Sequence, residues 1–253
     1  GFKLAVTQLA QETMRRINSA AVAYPVALTA VTLLAAPQKA VAETDLEYQI
    51  NALVKLLKAR PYSDDLHLPL TDAREIIDWS APIARLSRIP HPWGDVMLAE
   101  GKNATLLTYY RNNIQHLFAV PSLIASFFRT RLRMPESEIV AGAEGLYPFL
   151  RTEFFLRWPR EQCADVIREM IGHMVEQGLL ERNDGFIQRP RIDTPQFATL
   201  SMLARIMGET LERELSTALR RRLSELRDRL KFLQNAVGAI SGPFDSFLAL
   251  RGV

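Results

Sequence analysis

The sequence predicts a mainly α-helical fold: a multi-helix bundle carrying two small β-hairpins, with a C-terminal half that evokes a winged-helix module. Three observations carry that reading. Apolar residues recur at three- and four-residue steps through most of the chain, which is the period of a helix face. Pro25, Pro37, Pro61, Pro121, Pro148 and Pro159 cut these stretches into short pieces, because proline lacks an N–H and crowds the preceding turn. Turn residues around Gly101 and at Asn183-Asp184-Gly185 each separate two short apolar runs, the pattern of a hairpin.

Taken in order, Val6 to Ser19 has helix formers with Leu9, Thr13 and Ile17 spaced helically. Tyr24-Pro25 breaks it, since the residue before proline avoids the α region. Val26 to Ala36 resumes as an apolar helix that Pro37 stops. Glu43-Thr44-Asp45 starts a third helix, with Leu46, Ile50, Leu53, Val54 and Leu57 on one face. Pro61 to Asp65 is a loop by composition. Asp72, with Glu75 three residues on, has capping spacing at the start of a helix whose expected buried side is Ile76, Ile77 and Trp79. After a loop with Pro90, Pro92 and Gly94, Asp95 to Leu98 and Ala104 to Thr108 are expected to pair as the first hairpin.

Leu106 to Ala125 opens like a strand and then turns helical through Tyr110, Ile114, Leu117 and Phe118, and Pro121 is expected to kink or end that helix. The apolar run from Ser122 to Phe128 ends in Arg129-Thr130-Arg131-Leu132-Arg133. Pro135 to Glu138 opens another helix, with acids suited to a first turn. Pro148 and Pro159 bracket an aromatic segment. Pro159 is expected to start a helix running to Gln177, with a core stripe of Val166, Ile167, Met170, Ile171 and Met174. Gly178 is its expected C′ residue. Leu179 to Arg182 and Phe186 to Gln188 form the second expected hairpin. Helical patterns follow over Phe197 to Leu219, Ser224 to Gln234 and Phe244 to Leu250. The change from apolar run to charge and proline near 131–138 divides the chain into expected subdomains 1–133 and 134–253.

The balance of charge narrows the function. Thirty-one basic and 28 acidic residues leave a net charge of +3 in 253 residues. A dedicated nucleic-acid binder neutralises phosphates with an excess of cations, so no nucleic-acid partner is expected. The single cysteine, Cys163, excludes an internal disulfide and a cysteine-based metal site. No cluster of histidines and carboxylates has metal spacing and no Gly-rich phosphate loop is present, so neither metal nor cofactor is expected. Gly1-Phe2-Lys3 does not lead into a secretory signal, and a chain beginning there reads as an expressed piece or a processed product. The uncharged run from Ile17 to Gln38 just reaches the roughly 20 residues of a membrane span. Its polar ends, Pro25 and many alanines make a buried helix the better reading.

The block from Leu106 to Ala125 resembles the C-terminal part of the bacterial membrane-associated glycerol-3-phosphate acyltransferases. Arg16-Ile17-Asn18, Pro61-Tyr62-Ser63, Gly94-Asp95, Leu146-Tyr147-Pro148, Phe155 to Trp158 and Gln177-Gly178-Leu179 agree in order, so the likeness covers nearly the whole chain. The resemblance implies transfer of an acyl group from acyl-CoA or acyl carrier protein to glycerol 3-phosphate, giving lysophosphatidate on the cytoplasmic face of the inner membrane. It also implies that the catalytic blocks lie upstream, on an acyltransferase domain that this segment supports. No residue here is therefore expected to be catalytic. His67 and Asp72 do have the bare H-x4-D spacing of such an enzyme's base and its orienting carboxylate. However, Pro69 lies between them, the flanks differ from the family motif, and Asp72 already has a role as a helix cap.

Two surfaces are candidates for function. Tyr109, Tyr110, Arg111, Asn112 and Asn113 suit an interdomain contact, with rigid area plus hydrogen bonds; the bland alternative is a packed and solvated helix end. Phe127, Phe128, Arg129, Arg131 and Arg133 suit a membrane surface, with aromatics at the headgroup boundary and cations toward anionic lipid. The bland alternative is a core helix whose last turn complements the dipole. His116 reads as a hydrogen-bonded core histidine. Arg220-Arg221-Arg222 and the cations after it interleave with carboxylates, as on a solvated helix face. The alternative reading of the whole chain is a helical protein-docking module without chemistry of its own.

Overall fold

The computed structural model of the protein describes residues 2–208. The chain runs α1 (Phe2–Ser19), α2 (Pro25–Ala35), β1 (Ala40–Ala42), α3 (Glu43–Ala59), α4 (Ala73–Ala84), β2 (Ser87–Ile89), β3 (Val96–Leu98) and α5 (Gly101–Ile114). It continues with α6 (Ala119–Ser126), β4 (Arg133–Pro135), α7 (Glu136–Phe154), α8 (Cys163–Glu176), β5 (Glu181–Asn183), β6 (Phe186–Gln188) and α9 (Pro195–Ile206). The mainly helical class expected from periodicity is the class observed. The patterns over Ser224 to Gln234 and Phe244 to Leu250, the Arg220 cluster and the end of the Phe197–Leu219 pattern lie outside the described residues.

The core is built round α2. Of its residues only Leu34 is not buried, because α3, α4, α5 and α9 all pack on it. A helix apolar all round belongs inside, and each Leu or Val fully buried there stabilises by about 1.5–3 kcal/mol. Its two threonines do not leave unpaired hydroxyls. Thr29 donates to Ser80 Oγ at 3.1 Å, Ser80 to the Ile76 carbonyl at 2.5 Å, and Thr32 to the Leu28 carbonyl at 3.1 Å. Among the described residues, no helix is long and apolar enough to cross a membrane.

Each expected hairpin becomes a three-stranded antiparallel sheet, in the orders β1-β3-β2 and β4-β6-β5. The first hairpin is also re-paired. Val96–Leu98 pairs with Ala40–Ala42 and Ser87–Ile89, while Ala104 to Thr108, expected as its partner, lies within α5. Burial explains the change: Ala104, Leu107 and Ile114 recur at helical steps and are buried, so packing on α2 overrides the local strand character. Pro121 acts upstream of its own position. Its ring conflicts with the carbonyl four residues earlier, so Gln115–Phe118 forms a 3-10 turn and α6 begins at Ala119, with Pro121 in its first turn. Pro148 sits inside α7 rather than bounding a segment. Pro159 precedes a 3-10 turn at Arg160–Gln162, and α8 proper starts at Cys163.

From α6 onward the order is helix, strand, helix, helix, hairpin, with β4 and β5 on the two edges of β6. Asp184 and Gly185 have φ of 47° and 77°, the left-handed pair that a tight hairpin turn requires. Gly178 closes α8 at φ 68°, where a Cβ is disfavoured. Residues 131–138 form β4 and the start of α7. Helices on both sides of that point pack together: α6 against α8 and α9, and α3 against α8 and α9.

Candidate functional site

Several sequence blocks that carry the family likeness meet at one place. Phe155 ends α7 in a left-handed conformation, φ 50°, a costly position for a residue with a Cβ. That reversal brings Arg157 and Trp158 against Tyr62. The Tyr62 hydroxyl accepts the Arg157 N–H at 2.9 Å, and its carbonyl accepts from Arg157 Nη1 at 2.6 Å. The Tyr62 ring is edge-on to His116 at 5.0 Å and to Trp158 at 4.9 Å. Tyr147 donates its hydroxyl to the Trp158 carbonyl at 2.9 Å. Asn18 Nδ2 donates to the Phe154 carbonyl at 2.7 Å, and His116 Nε2 donates to the Asn18 carbonyl at 3.1 Å. The Ser63 hydroxyl donates to the Ser19 carbonyl. At the edge, Arg60 pairs with Glu169 at 2.7 Å and lies 4.8 Å from the Trp158 ring.

The electrostatics of this junction favour neutral groups. Burial lowers His116 to about 4, against the opposing effect of its bond to the Asn18 carbonyl, so the ring is uncharged near neutrality. Burial pushes the Tyr62 and Tyr147 hydroxyls above their ordinary range. Burial, and then the Glu144 carboxylate, push the Cys163 thiol up to about 11. A base, a nucleophile or a thiolate works when its pKa lies near the operating pH. These groups are shifted the other way, and His116, Tyr62 and Tyr147 each bond to the main chain of another segment or residue: the Asn18 carbonyl, the Arg157 N–H and the Trp158 carbonyl. The arrangement therefore holds the end of α1, the loop after α3, the α5–α6 turn and the end of α7 in fixed relation.

The two residues of the H-x4-D spacing have separate tasks. The main chain of His67 bridges to Ala21 and Ala23 at 3.1 and 2.9 Å, with an exposed side chain. The Asp72 carboxylate accepts the Glu75 N–H at 2.9 Å as the cap of α4. Among the described residues, no group of three or more His, Cys, Asp or Glu is arranged to hold a metal ion.

The five residues from Tyr109 to Asn113 split between surface and groove. Tyr109 is 70% exposed, and Arg111 donates to Asn112 Oδ1 at 3.1 and 3.2 Å. Tyr110 and Asn113 line an apolar groove of about 360 Å³ with Val26, Trp79 and Ile83. Trp79, expected on the buried side of its helix, is exposed at the mouth of that groove. The five residues from Phe127 to Arg133 also split. Phe128 is only 2% exposed, which corrects the expectation of a lipid-facing ring: α9 lies against α6, and its Phe197 and Leu200 line a pocket with Phe128. Phe127 is half-buried against Gly142. Arg131 pairs with Glu138 at 3.5 Å, Arg133 lies 5.0 Å from the Phe186 ring, and Leu132 is exposed between them. Sequence spacing missed the role of Tyr62 and Arg60. Tyr62 and Arg157 are 95 residues apart, and only their shared membership of the family blocks linked them.

The family described as "Glycerol-3-phosphate acyltransferase C-terminal region" matches residues 2–237. The chain is 36% identical over 207 residues to a glycerol-3-phosphate acyltransferase of Pseudomonas syringae pv. tomato (strain ATCC BAA-871 / DC3000), covering 81% of this chain and 25% of that protein. It is 37% identical over 207 residues to the protein of that name from Pseudomonas putida (strain W619), covering 82% and 25%. For Pseudomonas aeruginosa (strain UCBPP-PA14) the identity is 37% over 206 residues, covering 81% and 25%. The chain thus spans about a quarter of the length of these relatives. A match through every described element makes this chain a member of the glycerol-3-phosphate acyltransferase C-terminal region family.

Proposed function

We propose that this chain is the accessory C-terminal region of an enzyme that moves an acyl group from acyl-CoA or acyl carrier protein to glycerol 3-phosphate. The product is lysophosphatidate, an intermediate of phospholipid synthesis. The acid–base pair and the phosphate-holding residues belong to the preceding acyltransferase domain, and these helices brace it. The observation that supports this is the junction at Tyr62. Several of the blocks that carry the resemblance meet there in a hydrogen-bonded framework, and burial lowers His116 and raises the Tyr62 and Tyr147 hydroxyls, away from the range of a working acid or base. The test is co-expression with the preceding region, with acyl transfer measured for each part alone and for both. Activity is expected only when both are present; lysophosphatidate formed by this chain alone overturns the proposal.

The same protein would work peripherally at the cytoplasmic face of the inner membrane, with Arg129, Arg131, Leu132 and Arg133 toward anionic lipid. Each such cation adds about 1 kcal/mol near an anionic surface. Flotation of the enzyme with anionic liposomes checks this: changing the three arginines to Ser weakens flotation, and unchanged flotation ends the membrane assignment. The groove beside Tyr110 and Asn113 favours a second reading, in which the chain docks a protein partner and has no bearing on catalysis. Full acyl transfer by the preceding region without this chain would select it.

A further inference from the structure

Three arginines from separate parts of the chain meet at one cleft. Arg15 comes from the C-terminal half of α1, Arg151 from the last turn of α7, and Arg160 from the 3-10 turn that leads into α8. They line a cleft of about 220 Å³, with Gln11 and Thr152 as further polar groups. Among the described residues that line it, none is acidic; Glu153 and Glu161, beside Thr152 and Arg160 in the chain, lie outside it. The backbone fixes these positions. Gln11, Arg15 and Asn18 share one face of α1 at steps of four and three, and Asn18 anchors that face by donating to the Phe154 carbonyl at 2.7 Å. The Arg151 carbonyl accepts the Phe155 N–H that closes α7.

The cations in this cleft are not balanced from within. Glu12 takes the Arg16 Nε at 2.9 Å and reaches Arg15 Nη1 only at 3.5 Å. Among the described residues, no ion pair involves Arg151 or Arg160, and Arg151 Nε is buried without a hydrogen-bond partner. A buried donor on a charged group is costly to leave unpaired. The helix dipole accounts for a cation in the last turn of α7, but it opposes Arg160, which stands just ahead of the N-terminus of α8. We propose that this cleft binds the phosphate group of a phosphomonoester. The guanidinium fork matches two phosphate oxygens. A phosphomonoester carries roughly −1.5 to −2 near neutral pH, so it offsets converging cations where a carboxylate would supply a single charge. The cleft is smaller than the roughly 300–1,000 Å³ of a pocket that encloses a whole organic ligand, which suits a compact anion with the rest of its carrier outside. A soluble phosphate ester and the headgroup of a phosphatidate-type lipid present the same group.

Titration of the whole chain with inorganic phosphate at constant ionic strength tests this, read from the arginine Nε–H resonances by NMR. The expected result is a saturable shift of the Arg15, Arg151 and Arg160 signals. Arg191, exposed and already paired with Asp193, should stay in place. Arg151→Gln and Arg160→Gln should each weaken the apparent phosphate affinity by about tenfold, the worth of one bond to a charged group. Arg160 is exposed, so its variant keeps the fold, which a thermal melt confirms. No saturable shift, an equal shift at Arg191, or undiminished affinity in both variants overturns the proposal. Vesicles of phosphatidylcholine with and without phosphatidate separate the two sources. Phosphatidate vesicles that displace phosphate from the three arginines identify a lipid headgroup as the occupant, and vesicles that leave those signals unchanged identify a soluble ester.

Discussion

His116 shows how one buried side chain ties stability to pH. Its ring touches Tyr62 and donates to the Asn18 carbonyl, and burial lowers its pKa from 6.5 to about 4. The unfolded chain therefore binds a proton between these values while the folded chain does not, and stability rises with pH across that window. The contribution is fully present above pH 6.5 and is lost as pH falls toward 4, by roughly 3 kcal/mol in all. Urea unfolding from pH 4 to 7.5 should show the slope, and His116→Phe should flatten it. An unchanged slope in that variant would assign the dependence to other groups. The signal was partly legible: an isolated histidine among apolar neighbours reads as a core residue. Its partner Asn18 was not, because nothing local relates positions 98 residues apart.

At the level of elements, caps and the second hairpin were readable, while the third strand of each sheet and the pairing of the first were not. The Asp72–Glu75 spacing gave α4 its start, and the carboxylate does accept that N–H. Asp72→Ala should lower stability by about 1 kcal/mol, the usual worth of a side-chain cap, while acyl transfer by the full-length enzyme stays intact. Thermal unfolding and a product assay on one preparation check both halves, and loss of transfer with folding preserved would restore the H-x4-D pair as catalytic. Gly178 and the Asn183–Gly185 turn were equally readable, because each needs a left-handed residue that few side chains tolerate. The three-residue strands offer no such signal. Met97 and Ile187 are the central residues of β3 and β6, and both are fully buried. One buried residue makes no period, and β1 lies far from β3 in sequence. Ala104 to Thr108 misled for the reverse reason: β-branched and apolar neighbours looked extended, while tertiary burial of Ala104 and Leu107 set a helix.

For the molecule as a whole, the class followed from patterning, and so did a centre on apolar helices. The junction of Tyr62, His116, Tyr147 and Trp158 needed the structure, since it joins three distant segments. The placement of α2 governs how the chain must come into being. α2 leaves the ribosome well before α9, one of the helices that cover it, which ends only at Ile206. At about 5–20 residues per second, the nascent chain carries this greasy segment unshielded for on the order of ten seconds or more. A chain stopped before Pro195 should accordingly precipitate or be degraded, and a soluble, cooperatively melting fragment of that length would refute this. The feature that gives the finished protein its centre is thus the reason its synthesis calls for chaperone cover.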